Sequence, residues 1–118
     1  MRVIIAGGRD FTNYFMLKEK VLHKLQRIPD EEIVIVCGEA RGADSLGKKL
    51  ALEMQWEVSS FPADWNKYGK SAGYKRNQQM AEHADALIAF WDGNSKGTKH
   101  MIDIATAKGL LVQVYTYE

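Results

Sequence analysis

The 118 residues, 46% apolar and 26% charged, suit one globular unit spanning 1–118 with a core of modest size. A net charge of +1 gives no general electrostatic pull toward DNA, RNA or an anionic membrane, so neither nucleic acid nor a membrane is an expected partner. Cys37 is alone and cannot form an intramolecular disulfide, and no secretory segment or long apolar run is present, so a reducing, cytoplasmic setting is expected.

The first run, Arg2 to Ala6, is β-branched and continuous, the pattern of a strand covered on both faces. It stops at Gly7-Gly8. Thr12 or Asn13 caps a helix whose apolar stripe is Phe15, Leu17, Val21, Leu22, Leu25 and Ile28, ended by Pro29. Ile33 to Cys37 is a second buried strand, and a helix starting near Gly42 carries Leu46, Leu50 and Met54 along one row. Trp56 to Phe61 reads as a third, less apolar strand of the type a sheet edge tolerates, closed by Pro62. Residues 63–70 show no period and read as a loop, the longest irregular stretch. A helix from Ser71 to about His83 follows, then a fourth strand from Ala84 to Trp91 and a helix from Thr98 to Lys108. Gly109 is its left-handed cap, and Leu110 to Tyr115 is the last strand.

Strands alternating with helices imply an α/β fold, a doubly wound Rossmann-like sheet of five parallel strands in the order 3-2-1-4-5 with helices on both faces. In that order the chain reverses direction between strands 1 and 4, and ligands sit beyond the carboxyl ends of the strands at that crevice. The loops after strands 1, 2 and 4 therefore meet at one mouth. Each leaves a buried strand and opens a helix, which turns backbone N–H groups toward a point where the helix dipole also favours negative charge.

In the first of these loops, Gly7 and Gly8 form either a tight turn or a phosphate loop, since the full GxGxxG spacing is missing. Arg9 suits a two-pronged contact with phosphate or carboxylate, while Asp10 orients Arg9 or caps the helix. In the second, Gly38, Arg41, Gly42 and Asp44 open a helix. Asp44 matches the positive end of its dipole, whereas Arg41 opposes it and calls for an anionic ligand. Glu39 is either an exposed acid or the one that dinucleotide-binding folds place after strand 2 for ribose hydroxyls.

Arg76 shares a helical row with Ala72, Met80 and Ala84, so it points where packing residues point, near the mouth, with Asn77 beside it. Trp65 and Tyr68 are either core-edge aromatics or a lid that stacks on a base. Asp92, Ser95, Gly97 and Thr98 belong to the third loop, where they cap a helix or hold a phosphate. His23, His83 and His100 lack metal-ligand spacing, and there is no GxSxG elbow, Walker A loop or HExxH, so neither a metal nor a cofactor is expected.

The segments GGRDF (7–11), GEARGAD (38–44), ADWNKYGKSAGYKRNQQM (63–80) and AFWDGNSKGTKHMI (89–102) together resemble the small YspA-like branch of the SLOG superfamily, whose members occur in bacteria and phages. The resemblance implies a Rossmann-like domain that binds nucleotides or nucleotide-derived ligands. That superfamily also holds the LOG phosphoribohydrolases, the DprA proteins and sensors of cyclic ADP-ribose-type signals in antiphage defence. Arg76 matches the catalytic arginine of the LOG enzymes, and Gly97 and Thr98 match the glycine and threonine of their GGxGTxxE motif. Met101 stands where that motif has its glutamate, and a methionine cannot accept a proton.

The expectation is a domain that binds a mononucleotide, an ADP-ribose-type molecule or a cyclic nucleotide signal, as a sensor or a sequestering protein, in the host cytoplasm if a phage encodes it. By resemblance to the LOG enzymes it self-associates as a homo-oligomer. The alternative is a nucleoside-monophosphate N-glycosidase or related hydrolase using Asp10, Glu39 or Asp44 as its carboxylate.

Overall fold

A computed structural model describes residues 1–117. Five strands, β1 (Arg2–Gly7), β2 (Val34–Cys37), β3 (Glu57–Ser60), β4 (Ala86–Trp91) and β5 (Leu111–Thr116), form one sheet in the order β3-β2-β1-β4-β5. Every pairing is parallel. The doubly wound α/β arrangement follows from the sequence: short β-branched runs supply strands buried on both faces, and the crossovers between them are helical.

Five helices connect the strands: α1 (Tyr14–Leu25), α2 (Ala43–Met54), the single turn α3 (Trp65–Tyr68), α4 (Ala72–Glu82) and α5 (Lys96–Ala107). Alternation along β1 divides the core into two layers. Val3 and Ile5 pack with Leu17, Val21 and Leu50 from α1 and α2, while Ile4 and Ala6 pack with Met80, Met101 and Ala105 from α4 and α5. Each face of the sheet is thus closed by one helix pair.

Two local expectations change, and a third, which left two caps open, is narrowed to one. Residues 63–70 are not all loop: Asp64 accepts from the Lys67 amide at 3.0 Å and caps α3, and a 3-10 turn at Gly69–Ser71 leads into α4. Phe15 is 84% exposed instead of lying in the apolar stripe, because Tyr14, three residues before Leu17, takes the inward position. The first helix is capped by Asn13, whose side chain accepts from the Met16 amide at 3.0 Å.

Close approach of α2 to the sheet depends on Gly47. A Cβ there would lie 2.8 Å from Ile5 Cγ2 and 2.9 Å from Ile5 Cβ, atoms that cannot swing aside. Gly47→Ala should gain about 1 kcal/mol of helix propensity and lose about 1–3 kcal/mol to overpacking. The expected result is a lower urea midpoint with an unchanged slope; a raised midpoint would show that α2 can lift off β1 at no cost.

Candidate functional site

The carboxyl ends of β1, β2 and β4 carry the three glycine-containing loops, and backbone contacts lock them together. The Gly8 amide donates to the Phe90 carbonyl of β4 at 3.2 Å, and the Gly8 carbonyl accepts from Phe11 at 3.2 Å and from Ala43, the first residue of α2, at 3.3 Å. Gly42, just before α2, has φ 77, and a side chain there would run into the Gly8 carbonyl and the Arg9 backbone. Only glycine meets both demands without strain.

The third loop is held by its own side chains. The Asp92 carboxylate accepts from the Asn94 and Ser95 amides, each at 2.8 Å, and these bonds draw its pKa below the ordinary carboxylate range. Ser95 then caps α5, its Oγ accepting from the Thr98 amide at 3.3 Å, and its carbonyl accepts the first helical bond, from Lys99 at 3.1 Å. Among the described residues the Lys96 and Gly97 amides form no hydrogen bond, as expected for the first turn of a helix.

Between these loops and α4 lies a cavity of about 240 Å3. Its wall carries Asp44, Asn77 and Thr98, which are also the buried polar side chains among the described residues. Buried polar groups are expensive unless satisfied, so their convergence on one space is informative. Arg76 organises them. Its guanidinium donates from Nη1 to the Gly38 carbonyl and from Nε to Asn77 Oδ1 at 3.1 Å. The Gly38 amide donates to Asp44 at 3.2 Å, so Gly38 links the arginine to the acid through its own backbone. A Cβ on Gly38 would overlap that guanidinium.

Asn77 also donates from Nδ2 to the Gly97 carbonyl at 3.3 Å and lies 3.2 Å from His100 Nδ1. Burial lowers the His100 pKa, and the neutral ring accepts from Asn77. Asp44 is 5% exposed, and burial pushes its pKa up to about 6 despite the opposing pull of Arg76, the Gly38 and Ala40 amides and Arg9. Burial likewise lowers Arg76, against the support of Asp44. Acid and base therefore share a site in which burial disfavours the charge of each, and an anion entering it meets an arginine already partly withdrawn from water.

Of the residues expected at the mouth, Gly7, Arg9, Asp44, Trp65, Arg76, Asn77, Ser95, Gly97 and Thr98 line the cavity. Gly38 and Arg41 line a neighbouring chamber of about 260 Å3, which shares Arg9, Trp65 and Arg76 with the first. The others lie elsewhere. Gly8 and Gly42 form the seam between loops, with the Gly8 amide already engaged, and Asp92 holds its own loop. Asp10 neither orients Arg9 nor caps α1: its Oδ1 accepts from the Tyr117 hydroxyl at 2.7 Å, which with burial drives the tyrosine pKa upward. Tyr68 does not line the cavity but a separate groove on the other side of Arg76, its ring flanked by Lys67 and Lys75 ammonium groups at 5.1 and 4.8 Å.

Lys70, Gly73, Tyr74, Met80 and Met101 also line the cavity, and the sequence reading did not place them there. Gly73, Arg76, Asn77 and Met80 follow the i, i+3, i+4, i+7 spacing of one helix face, a signal that could have brought Gly73 and Met80 in with Arg76. Tyr74 is 47% exposed and meets His100 edge-on at 4.4 Å, while Trp65 is 52% exposed. Met101 is 1% exposed, on the cavity floor, and Asp103 is drawn away into a surface ion pair with Lys99 at 2.9 Å. Among the described residues no cluster of His, Cys, Asp and Glu could hold a metal ion, and no helix is long and apolar enough to cross a membrane.

Comparison with known proteins agrees with this architecture. The chain is 35% identical over 117 residues to the Gene 61 protein of Mycobacterium phage D29, covering 94% of this chain and 93% of that protein. Its fold matches DNA processing protein A (DprA) from Streptococcus pneumoniae with a TM-score of 0.75 at 19% identity, covering 96% of this chain. It spans about half of that protein, 49% of its length. The model of the YspA, cpYpsA-related SLOG family matches residues 1–68, which hold β1 to β3, the first two loops and Trp65. The chain therefore belongs to the YspA, cpYpsA-related SLOG family.

Proposed function

We propose that residues 1–118 act as one nucleotide-binding domain whose ligand is a nucleotide-derived small molecule. Family and fold support a nucleotide-related or DNA-processing role; the cleft narrows it. The supporting observation is that Asp44, Asn77 and Thr98, all buried, face one cavity walled by Arg9, Arg76 and the first turn of α5. A phosphate there accepts from the free Gly97 amide and from the arginines, with the helix dipole adding its share. The half-exposed Trp65 and Tyr74 at the rim offer an apolar face for a base. On this reading the protein is a sensor or a sequestering agent working in the cytoplasm, and self-association belongs to the same proposal.

Isothermal calorimetry against AMP, ADP-ribose and cyclic AMP tests the proposal. It predicts saturable binding of at least one of them by the wild type, lost in Arg76→Ala. Silence from all three would remove it. Mass spectrometry of small molecules released on denaturing freshly purified protein would identify the natural ligand directly.

One observation favours a second reading, hydrolysis of the ligand. Of the three carboxylates available to such chemistry, Asp10 is engaged with Tyr117 and Glu39 is ion-paired at the surface with Lys48, whereas Asp44 faces the cavity with a pKa near 6. A group poised there can exchange a proton near neutral pH. Release of free base or phosphate over hours, abolished by Asp44→Asn, would establish turnover; intact nucleotide would favour the binder.

A further inference from the structure

One side-chain amide ties together two of the groups that a phosphate in the cleft would meet. Asn77 Oδ1 accepts from Arg76 Nε at 3.1 Å, while Nδ2 donates to the Gly97 carbonyl at 3.3 Å and faces His100 Nδ1 at 3.2 Å. The amide therefore spans α4 and the first turn of α5, and both of its protons are spoken for. Its orientation is fixed. Turned over, it would set its nitrogen against Arg76 Nε, a donor, and its oxygen against the Gly97 carbonyl, an acceptor.

That orientation dictates the state of His100. Because Asn77 Nδ2 presents a proton, His100 Nδ1 must carry a lone pair, and the single proton of the neutral ring belongs on Nε2. A protonated ring would present a second proton to an amide that cannot turn, so the ring would have to swing away and leave Asn77 with a weaker hold. The charged and titratable groups around the ring are Tyr74, which meets it edge-on at 4.4 Å, and Arg76 on α4, with Lys96, Lys99 and Asp103 on its own helix. Burial keeps the ring neutral by lowering its pKa, and Asp103, which works the other way, is paired with Lys99 at 2.9 Å.

We propose that His100 is a positioning residue: through Asn77 it holds the Arg76 guanidinium and the Gly97 backbone in place for an anion, and it does so only while its ring is neutral. This rests on the nucleotide-binding reading above. Acid then weakens the hold of the cleft on an anion even though it adds a positive charge nearby, the reverse of what simple attraction would give. Asp44 acts in the opposite sense, because its protonation removes a negative charge from the same cleft. The effect of His100 is therefore read against a variant that keeps Asp44 and cannot titrate at position 100.

His100→Asn is that variant, since asparagine puts an oxygen where Nδ1 stands. Nitrogen-15 spectra of the imidazole, guanidinium and backbone signals, from pH 8 to pH 5 on the wild type and His100→Asn, test the proposal without a ligand. His100 should be the Nε2–H tautomer, and the Arg76 Nε and Gly97 signals should move with the midpoint of its ring, a component absent from His100→Asn. Calorimetry with ADP-ribose, whose diphosphate stays ionised over this range, adds the effect on binding. At pH 8, His100→Phe should bind about ten-fold more weakly than the wild type, and His100→Asn should recover most of that loss. Between pH 8 and pH 5 the wild type should weaken several-fold relative to His100→Asn. A ring protonated on Nδ1 at pH 8, Arg76 and Gly97 signals indifferent to its titration, or wild-type binding that tightens relative to His100→Asn in acid would overturn the role of His100. Failure of the wild type to bind ADP-ribose at either pH would instead strike at the nucleotide reading, with the spectra still deciding what His100 holds.

Discussion

Arg76→Ala should weaken binding of AMP or ADP-ribose by roughly 100-fold, the largest effect on function of any single substitution in the cleft. A charge-assisted hydrogen bond contributes about 1.5–3 kcal/mol, and each 1.4 kcal/mol is about ten-fold in affinity. The guanidinium makes that bond from a site where burial has already removed much of its water, so little is lost on contact with an anion. Arg76→Lys keeps the charge but not the fork, and should fall between the two. Gly38→Ala supplies an independent check, because its methyl group displaces the guanidinium without removing it. Affinity in Gly38→Ala should drop in the same direction, and a normal affinity in both variants would mean that the arginine has no part in binding. Loss of Arg76 also withdraws the leading opposite charge from Asp44, so its pKa should climb further and the stability loss should be greater at pH 7.5 than at pH 5.

Asp44→Asn should make the protein more stable at neutral pH. The carboxyl has its pKa raised from 3.8 in the unfolded chain to about 6 in the fold, so folding favours the protonated form. The stability it contributes is complete below about pH 4 and is lost as the pH rises through about 6. At about 1.4 kcal/mol per pH unit, the ionised acid weakens the fold by about 3 kcal/mol at pH 7.5. Asparagine has no charge to bury and keeps an oxygen for the Gly38 amide. Its melting temperature should exceed the wild type by several degrees at pH 7.5, with the gap closing below pH 4. A variant that is less stable at both pH values would show that the carboxylate is a structural support. An acid kept where it weakens the fold is the trade expected of a functional group.

The parallel sheet and the meeting of the three loops were legible because they depend on local features: β-branched runs, glycines at strand ends, and helices long enough to cross back over the sheet. Arg76 was legible for the same reason, since it shares a helical row with packing residues. The features that were not legible depend on distant partners. Nothing near Asp10 announces that Tyr117, at the other end of the chain, will engage its carboxylate. An acid in the first turn of α2 reads as a dipole match, and its burial depends on how closely β2 and α4 approach it. Trp65 and Tyr68 carried the same two readings in the sequence, and only the packing of residues 62–79 decides between them, with Trp65 against the cavity and Tyr68 in a separate surface groove beside Lys67 and Lys75.

The proposed function requires the loops after β1, β2 and β4 to build one anion-binding cleft. A 15N–1H correlation titration with ADP-ribose tests it most directly, since it reports on each backbone amide separately. The largest shifts should cluster at Gly7, Arg9, Gly38 to Arg41, Arg76, Asn77 and Lys96 to Thr98, while amides at the opposite end of the sheet, around Ile28 and Asp85, stay fixed. Shifts centred on that opposite end, or no saturable shift in any of the three loops, would contradict it.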